Sequence, residues 1–389
     1  MQKIKILYIV NSLCVGGIEK FVVDLSNSLD KSKYDVYILS FVNEFDLKSK
    51  LNLDVHFECL NYDKRFLKPH NMFWKSFHYM KFLRQYLKVV SPDIVHINCF
   101  SFNVLLTALV LRLFFKNIVY IKTQHSIGWY YGNNSLSARL HRFLEKVAYK
   151  LSNAHIVGVS KSVVANAKNN FEGFAKSISL IYNGVDLSKY CKNNKDKDVD
   201  RGVLGVSTTD ILVVYVARFF CGKNHDFLVE IWNELAIKGY NNIKLLLLGD
   251  GVLFDNIKKR IVDLNLKNII CYGNCDNIAS LLKICDFAVF PSSYEGFGIA
   301  LLEKMASSLP VVASDIPPFK EVIDSGIDGY ILDLREKQDW IDTIIQLSQS
   351  REQRLLMGNL AQRKSQKFSL DNMTLNYSNL YLNLLHKNI

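Results

Sequence analysis

Short apolar runs alternate with stretches of helical periodicity along the whole chain of 389 residues. The apolar runs are continuous, which is typical of strands buried on both faces of a parallel sheet. In the first half the predicted strands are Ile4–Val10, Asp35–Phe41, Ile94–Asn98, Ile118–Thr123 and His155–Val159. In the second half they are Ile211–Ala217, Ile243–Leu248, Ile269–Tyr272, Phe287–Phe290 and Pro310–Ala313. The predicted helices between them include Glu19–Leu29, Ala138–Leu151, Asp226–Lys238, Leu253–Leu264 and Ile278–Lys283.

This alternation predicts an α/β protein with two doubly wound, Rossmann-like parallel-sheet domains. The polar stretch CKNNKDKDVDRG separates the two halves and is typical of a linker. We therefore predict a first domain over 1–190, a linker over 191–205 and a second domain over 206–365. Residues 366–389 place Leu and Tyr at helical spacing, and we expect this terminal helix to cross back to the first domain. Ligands of such sheets bind at the carboxyl ends of strands, so the cleft between two facing domains is the expected site.

Composition and charge narrow the class of protein. Hydrophobic residues make up 49% of the chain and charged residues 22%, which describes a globular protein. The net charge of +11 belongs to the first half, because residues 1–190 carry a net +12 and residues 191–389 a net −1. The eight cysteines include no C-x-x-C pair, which favours reduced thiols over a zinc site. We interpret the N-terminus as a first strand rather than a signal peptide, and Val104–Phe115 is too short to span a membrane.

Candidate binding residues cluster where predicted strands end. Gly16 and Gly17 follow the first strand and open a helix, where backbone N–H groups can approach an anion; a plain tight turn is the alternative. Arg218 and Lys223 follow the strand Ile211–Ala217, and two cations there suit a diphosphate, with solvated loop charges as the alternative. The next two strands end at Gly249 and Tyr272. Because the carboxyl ends of parallel strands share one edge, this repetition indicates a binding site.

Two carboxylates stand out in YEGFGIALLEKM, Tyr294 to Met305. Glu295 follows a predicted buried strand, and Glu303 falls among Leu301, Leu302 and Met305 on a predicted helix. A carboxylate in such apolar company is unfavourable unless it is paired or binds a ligand.

Together with Arg218, Lys223 and the GDG turn, this segment resembles the E-x7-E signature of glycosyltransferase family 4. GGIEKF, NGVD, GKNHDFL and LPVVASD fall in matching order, so the resemblance covers nearly the whole chain. It implies the GT-B fold, in which two Rossmann-like domains face each other across a cleft, and a retaining, nucleotide-sugar-dependent reaction. Lys304 stands where the family commonly has Ala and Ser308 where it has Gly, and PPFKEVI replaces a common double glycine. We expect these departures to alter local packing.

The resemblance implies a role for each candidate. Glu303 should hold the ribose hydroxyls of the donor, and Glu295 should face the transferred sugar. The N–H groups of Phe297, Gly298 and Ile299 should meet the diphosphate at a helix start. A lone histidine is more often structural than catalytic, but His125 occupies the position from which related enzymes present a histidine to the donor sugar. The catalytic candidates are therefore His125 and Glu295.

Neither a metal nor another cofactor is expected, because the nucleotide sugar is a substrate and two cations already face the phosphates. Asp196, Asp198 and Asp200 have metal-like spacing, but they lie in the polar linker with no strand before them. We interpret them as solvated charges.

A membrane-binding segment is predicted in the basic half. Residues 64–88 interleave seven Lys and Arg with aromatic residues and Leu, and the spacing is helical from Asn71 onward. The residues assigned to an anionic membrane surface are Lys64, Arg65, Lys68, Trp74, Lys75 and Lys81. A second basic stripe consists of Arg139, Arg142, Lys146 and Lys150. A solvated helix over an ordinary core is the alternative, and no recognition motif supports binding of nucleic acid.

The resemblance thus implies a transferase that moves a sugar from a UDP- or GDP-sugar to a lipid-linked or cell-surface glycan, in polysaccharide, capsule or O-antigen biosynthesis. We expect a cytoplasmic enzyme that is peripheral on the cytosolic face of the inner membrane. The alternatives are a nucleotide-sugar epimerase or phosphorylase on a similar scaffold, and a non-catalytic nucleotide-sugar or membrane-binding protein. The sugar, the base and the acceptor stay open.

Overall fold

A computed structural model describes residues 2–62, 72–99, 101–127, 135–190, 200–275 and 277–386. The chain divides into two compact units. The first contains the residues up to Gly184 and those from Leu370 onward, and the second contains Val185–Ser369.

The described part of the first unit forms a parallel sheet of seven strands in the order β3-β2-β1-β4-β5-β6-β7. The strands are β1 (Ile4–Val10), β2 (Tyr34–Val42), β3 (Val55–Tyr62), β4 (Ile94–Asn98), β5 (Val119–Gln124), β6 (His155–Gly158) and β7 (Ser177–Leu180). The helices between them are α1 (Gly17–Ser28), α2 (Met72–Val90), α3 (Ser101–Phe114), α4 (Leu136–Ser152) and α5 (Lys161–Phe171).

The described part of the second unit forms a parallel sheet of six strands in the order β10-β9-β8-β11-β12-β13. The strands are β8 (Ile211–Val216), β9 (Ile243–Leu248), β10 (Ile269–Gly273), β11 (Phe287–Phe290), β12 (Val311–Ser314) and β13 (Gly329–Leu332). The helices that follow β8 are α6 (His225–Ile237), α7 (Phe254–Asp263), α8 (Ile278–Lys283), α9 (Ile299–Ala306), α10 (Pro317–Lys320), α11 (Lys337–Gln349) and α12 (Arg351–Ser365). The two parallel α/β sheets confirm the predicted fold class.

The strands that the sequence pattern missed are β3, β7 and β13. Each lies at an end of its sheet, so one of its edges has no neighbouring strand among the described residues. An edge strand is only partly buried and needs no continuous apolar run, as the sequences VHFECLNY and SISL illustrate. The central strands are buried on both faces, and their apolar runs mark them clearly.

The chain ends in helix α13 (Leu370–His386), which belongs to the first unit. Its buried residues Met373, Tyr377, Tyr381 and Leu384 share a hydrophobic core with β1 and α1. The opposite face of the sheet packs against α2, α3, α4 and α5. Each face of this sheet is therefore covered by helices, as a parallel sheet requires.

Much of the predicted linker, 191–199, lies outside the described residues. Near the end of the predicted linker, residues 201–204 form a 3₁₀-helix that belongs to the second unit. The Arg201 guanidinium donates to Ile284 O at 2.6 Å and to Asp286 Oδ2 at 2.8 Å. A guanidinium has several donors, so it can bond the backbone carbonyl at the end of the helix Ile278–Lys283 and the Asp286 carboxylate at the same time.

A polar network is buried where α13 meets the sheet. Tyr381 OH lies 2.8 Å from both Tyr8 OH and His96 Nδ1. His96 Nε2 lies 2.7 Å from Thr123 Oγ1, which in turn lies 3.0 Å from Tyr377 OH. These five side chains are excluded from solvent. Because burial disfavours the charged imidazole, with a smaller contribution from Lys122, the pKa of His96 falls to about 3.

The network makes the first unit sensitive to acid. Above the ordinary histidine pKa of 6.5 His96 is neutral in the folded and the unfolded chain, so its titration does not change the stability there. Below that pH the unfolded chain takes up a proton at His96 that the folded chain excludes, and this one group should lower the free energy of unfolding by about 2 kcal/mol at pH 5.

The measurement is urea unfolding of wild type and His96→Gln at pH 7 and pH 5. Gln keeps a donor and an acceptor but cannot titrate, so its stability should fall by about 2 kcal/mol less between the two pH values. An equal pH dependence in both proteins would contradict the assignment.

Candidate active site

The strand order of the second unit reverses between β8 and β11, which are hydrogen-bonded neighbours. At such a reversal the loops that follow the two strands turn to opposite sides and leave a crevice at their carboxyl ends. One loop carries Arg218 and Lys223, and the other carries Glu295. The sequence-predicted acid and cations therefore leave the sheet at the point where doubly wound domains bind ligands.

Lys223 and Glu295 are brought together as an ion pair between Nζ and Oε1. The same carboxylate oxygen accepts a hydrogen bond from Ser292 Oγ at 3.1 Å. The two charged side chains are largely buried, with 22% and 17% of their surfaces exposed. A charge-assisted contact with this little solvent is held more firmly than a surface ion pair. It fixes the Glu295 carboxylate in one place at the strand ends.

The two loops are also joined by hydrogen bonds that the sequence did not suggest. Asn224 Nδ2 donates to Pro291 O at 2.6 Å and lies 2.7 Å from Ser293 Oγ. Ser293 N donates to Gly222 O at 2.8 Å. The hydroxyl of the buried Tyr215 on β8 donates to Lys223 O at 2.6 Å. The backbone on both sides of Lys223 is therefore fixed, which limits where its ammonium can reach.

Helix α9 begins beside this ion pair. Its N-cap is Gly298 in the left-handed region, with φ of 92°, and a Cβ there would lie 2.8 Å from the Phe319 ring. Only glycine fits both the backbone and the space. The Phe297 side chain is buried and packs edge-on against Phe368 at 5.4 Å. The first N–H groups of α9, including that of Ile299, have no acceptor within the helix, so this turn has donors for an anion.

Glu303 lies in α9 and is almost fully buried. Its Oε2 is 3.9 Å from the ammonium of Lys304, whose side chain is completely buried. The ammonium also lies 5.8 Å from the centre of the Phe290 ring. The sequence marked Lys304 only as a departure from the family pattern. The structure places it as a buried positive charge beside Glu303, which compensates that carboxylate.

The remaining second-unit candidates lie along the same edge of the sheet. Arg218 is exposed just beyond the end of β8. Gly249 follows β9 with φ of 129°, and a Cβ there would lie 2.2 Å from Ala217 O, so glycine is required for the two strand ends to meet. Tyr272 is 45% exposed on β10, the edge strand two positions from β8. Their predicted ligand roles stay predictions.

In the first unit, α1 begins at Gly17 with Gly16 as its N-cap. Gly16 has an extended backbone that any residue adopts, and a Cβ on Gly17 would meet nothing within 4 Å. Packing therefore does not require glycine at position 17, and the backbone angles do not require it at position 16. The open space over Gly17 leaves the helix start accessible, which fits the predicted close approach of a ligand.

His125 lies just after β5, and its Nε2 is 2.7 Å from Asn98 Oδ1. The Phe21 ring packs edge-on against the imidazole at 4.8 Å. Burial, followed by the nearby Lys122 and His96, lowers the pKa of His125 well below its ordinary value, so the ring is neutral at neutral pH. Asn98 Nδ2 faces His96 O at 3.5 Å, so its oxygen faces His125, and Nε2 carries the proton. Nδ1 is then an acceptor.

The predicted membrane-binding residues are only partly described. Lys64, Arg65 and Lys68 lie outside the described residues. For Trp74 and Lys75 the backbone belongs to α2, and Lys81 is exposed on the same helix. The opposite face of α2 is buried, with Tyr79 OH 2.7 Å from Thr107 Oγ1.

Within the described ranges, no group of three or more His, Cys, Asp or Glu side chains is arranged to hold a metal ion. Asp196 and Asp198 lie outside those ranges. Asp200 accepts from Gly202 N at 3.0 Å and so caps the 3₁₀-helix Arg201–Leu204. Nor does any described helix combine the length and apolar character needed to cross a membrane.

Sequence reasoning missed the residues that hold the candidates in place, namely Ser292, Asn224 and Tyr215 in the second unit and Asn98 in the first. Ser292 and Asn224 are sequence neighbours of the predicted residues, but an Asn or Ser next to a turn is too common to single out. The partner of Asn224, Pro291 O, lies 67 residues away in sequence. Such pairings depend on the tertiary fold.

Comparison with known proteins shows the family of the chain. Residues 15–189 match the model of Glycosyltransferase Family 4, and residues 196–364 match that of Glycosyl transferases group 1. The putative glycosyltransferase EpsF of Bacillus subtilis is 26% identical over 347 residues, covering 87% of this chain and 86% of EpsF.

A second relative is the N-acetylgalactosamine-N,N'-diacetylbacillosaminyl-diphospho-undecaprenol 4-alpha-N-acetylgalactosaminyltransferase of Campylobacter jejuni. It is 27% identical over 319 residues, covering 81% of each chain. Among solved structures, Anabaena HepE in complex with UDP and glucose superposes with a TM-score of 0.78 at 18% identity, covering 97% of this chain and 99% of HepE. The chain belongs to the glycosyltransferases of family 4 and is an enzyme of GT-B type, with a family 4 domain followed by a group 1 domain.

Proposed function

We propose that this glycosyltransferase moves a sugar from a nucleoside diphosphate sugar to a lipid-linked glycan with retention of anomeric configuration. The observation that carries the proposal is the Lys223–Glu295 pair beside the start of α9, at the strand reversal of the second unit. A cation, a fixed carboxylate and free helix N–H groups at one point suit a ligand that has a diphosphate next to a sugar.

The diphosphate is assigned to Arg218, Lys223 and the first N–H groups of α9. An ammonium has three donors, so Lys223 can keep its bond to Glu295 while it donates to a phosphate oxygen. Charge builds on the leaving diphosphate as the anomeric C–O bond breaks. Preorganised donors that stabilise this charge are the largest contribution expected of the protein, and each is worth on the order of a hundredfold or more in rate.

The ribose diol is assigned to Glu303, since a carboxylate accepts from two neighbouring hydroxyls. The buried ammonium of Lys304 compensates its charge in the low-dielectric interior. Glu295, held by Lys223 and Ser292, is assigned to the transferred sugar. The two acids would then contact opposite ends of one donor.

His125 is assigned to an outer hydroxyl of the donor sugar. Its Nε2 proton is directed to Asn98, so the sugar hydroxyl would donate to Nδ1. Retention is attributed to attack on the face from which the diphosphate leaves, with a phosphate oxygen taking the acceptor proton. Such a reaction needs no protein nucleophile, and we expect no metal or cofactor because Lys223, Arg218 and the helix N–H groups supply the positive charge.

A lipid-linked acceptor is proposed because the Campylobacter relative is named for a diphospho-undecaprenol acceptor. An enzyme for such an acceptor works at a membrane surface, here the cytosolic face of the inner membrane. The charge of the first half suits an anionic bilayer, since residues 1–190 carry a net +12.

Helix α4 offers a surface for that bilayer. Leu136, Leu140 and Phe143 recur at helical spacing on one face and are 83%, 57% and 61% exposed. The same helix carries the basic stripe Arg139, Arg142, Lys146 and Lys150, whereas its acidic residue, Glu145, is buried. Exposed apolar side chains flanked by cations are typical of a helix that lies in a membrane interface.

A pocket of about 520 Å³ adjoins this surface. Its lining is mainly apolar, with Phe143 and Phe174 on the walls and Lys146 and Lys150 beside them. The Lys146 ammonium lies 5.0 Å from the centre of the Phe174 ring. An apolar recess with cations at its side suits a lipid chain below an anionic head group.

The donor assignment is tested by hydrolysis of a panel of UDP- and GDP-sugars without acceptor, followed by titration calorimetry with the matching nucleoside diphosphate. Glu303→Ala should weaken nucleotide binding by about tenfold or more, because a charged acceptor of the diol is lost. Glu295→Ala should lower turnover more than it weakens binding. Hydrolysis should continue in EDTA.

Equal losses of binding and turnover in the two variants would contradict the assigned roles. A protein that binds a nucleotide sugar but hydrolyses none of the panel would support the non-catalytic alternative. Complete loss of activity in EDTA would point to a metal.

The membrane assignment is tested by sedimentation with phosphatidylglycerol vesicles at low and high salt. Binding should fall steeply with salt, because the attraction is partly screened Coulombic. Two variants should lose most binding yet keep donor hydrolysis. The basic variant replaces Lys64, Arg65, Lys68, Lys75 and Lys81 with Gln, and the apolar variant replaces Leu136, Leu140 and Phe143 with Ser.

The matched control places Ser at three exposed apolar positions of the second unit, Ile237, Val262 and Leu356, which are 73%, 70% and 64% exposed. It should bind vesicles like wild type. If only the basic variant loses vesicle binding, segment 64–81 is the membrane anchor. If only the apolar variant loses it, α4 is the anchor. Undiminished binding in both would exclude both surfaces.

A further inference from the structure

His125 stands at the outer end of a ladder of side chains across β4 and β5. The inner rung joins His96 Nε2 to Thr123 Oγ1 at 2.7 Å, and the outer rung joins Asn98 Oδ1 to His125 Nε2 at 2.7 Å. On each side of the ladder the two residues are two positions apart in sequence. Since side chains alternate along a strand, both rungs lie on the same face of the sheet.

That face of the sheet packs against α13. Tyr381 OH lies 2.8 Å from His96 Nδ1, and Tyr377 OH lies 3.0 Å from Thr123 Oγ1. Each partner in the inner rung is therefore held by a hydroxyl of the terminal helix. All four side chains are excluded from solvent, so water cannot replace a hydroxyl that is removed.

Phe21 on α1 forms a second connection between α13 and His125. Its ring packs edge-on against Tyr377 at 5.5 Å and against His125 at 4.8 Å. The imidazole of His125 is thus fixed by Asn98 at one nitrogen and by Phe21 at its ring. Both supports are adjacent to residues that α13 contacts.

We propose that Tyr377 and Tyr381 are positioning residues for His125, and that the terminal helix orients this imidazole toward the donor sugar through the inner rung. The inference rests on the role proposed above for His125. An imidazole nitrogen that accepts a hydrogen bond from a sugar hydroxyl must be held within a fraction of an ångström to act in the transition state. Buried hydrogen bonds provide such precision. The inner rung has no direct contact with the sugar in this assignment, so its effect is exerted through the outer rung.

The test uses Tyr377→Phe, Tyr381→Phe and the double variant in the full-length protein. Each substitution removes one hydroxyl and keeps the ring, so the Phe21 packing is preserved. Tyr34→Phe is the matched control, because the buried Tyr34 hydroxyl bonds Ser378 Oγ on the same helix at 2.7 Å without touching the ladder. Thr123→Val, which keeps the shape of the side chain, replaces the double variant if that protein does not fold.

The first readout is the ¹⁵N NMR spectrum of histidine-labelled protein, with the His125 signals identified by their loss in His125→Gln. The double variant should shift both ring-nitrogen signals of His125 and lower the fraction of the Nε2–H tautomer. Tyr34→Phe should leave these signals at their wild-type positions. This readout needs no ligand, and a general loss of stability would not produce the difference.

The second readout is hydrolysis of the panel nucleotide sugar that turns over fastest. The double variant should lower kcat about tenfold with the donor KM within about twofold of wild type, because orientation is lost rather than binding. In a His125→Ala background the same substitutions should cause no further loss, since residues that act as a unit are not additive.

Unchanged His125 signals in the double variant, or a loss of kcat no greater than in Tyr34→Phe, would overturn the inference while leaving the proposed function intact. It would also be overturned if the loss of kcat in the double variant simply added to the loss in His125→Ala. A wild-type rate in His125→Ala itself would instead remove the proposed role of His125 and the inference with it.

Discussion

A charge inside a parallel sheet that is covered on both faces is unfavourable, and this constraint directs polar chemistry to the ends of the strands. Strands such as β4 and β11 are buried along their full length, so they hold few ionic groups that a substrate can reach. Polar chemistry therefore collects in the loops at the carboxyl edge. In the second unit the reversal between β8 and β11 separates two such loops, and the Lys223–Glu295 pair joins them.

Several of the charged and polar groups that enter the interior have partners there. Glu303 lies beside the buried ammonium of Lys304, and Asp286 receives both Arg201 and Arg354. His96 bonds through both ring nitrogens. A buried group left without such partners would cost several kcal/mol, so each arrangement restricts the geometry around it. That restriction is useful at a site where the donor must be held in one orientation.

The two halves of the chain differ in net charge and in the ligands assigned to them. The second half, with a net charge of −1, supplies the groups assigned to the nucleotide, and there the cations are few and individually placed. The first half, with a net +12, carries an exposed apolar and basic helix together with a neutral histidine. A dispersed positive field suits a lipid surface, whereas single oriented cations suit a diphosphate.

The sequence by itself determined the two parallel-sheet domains, the family, and the exact bounds of Ile4–Val10, Ile94–Asn98, Ile243–Leu248 and Phe287–Phe290, because the mainly apolar runs of central strands differ clearly from the polar segments around them. It also singled out Lys223, Glu295 and Glu303, since charges at strand ends and within apolar helices are conspicuous. It did not predict edge strands such as β3 and β13, because a partly buried strand needs no continuous apolar run.

Only the tertiary structure decided which of these residues meet. Lys223 and Glu295 are 72 residues apart, and His96 and Tyr381 are 285 residues apart. The helical spacing of Tyr377 and Tyr381 predicted a helix but not the histidine ladder behind it, and Lys304 read as an altered packing residue rather than as the charge beside Glu303. Local patterns report how deeply each residue is buried, whereas the partner of a buried polar group is chosen by the path of the whole chain.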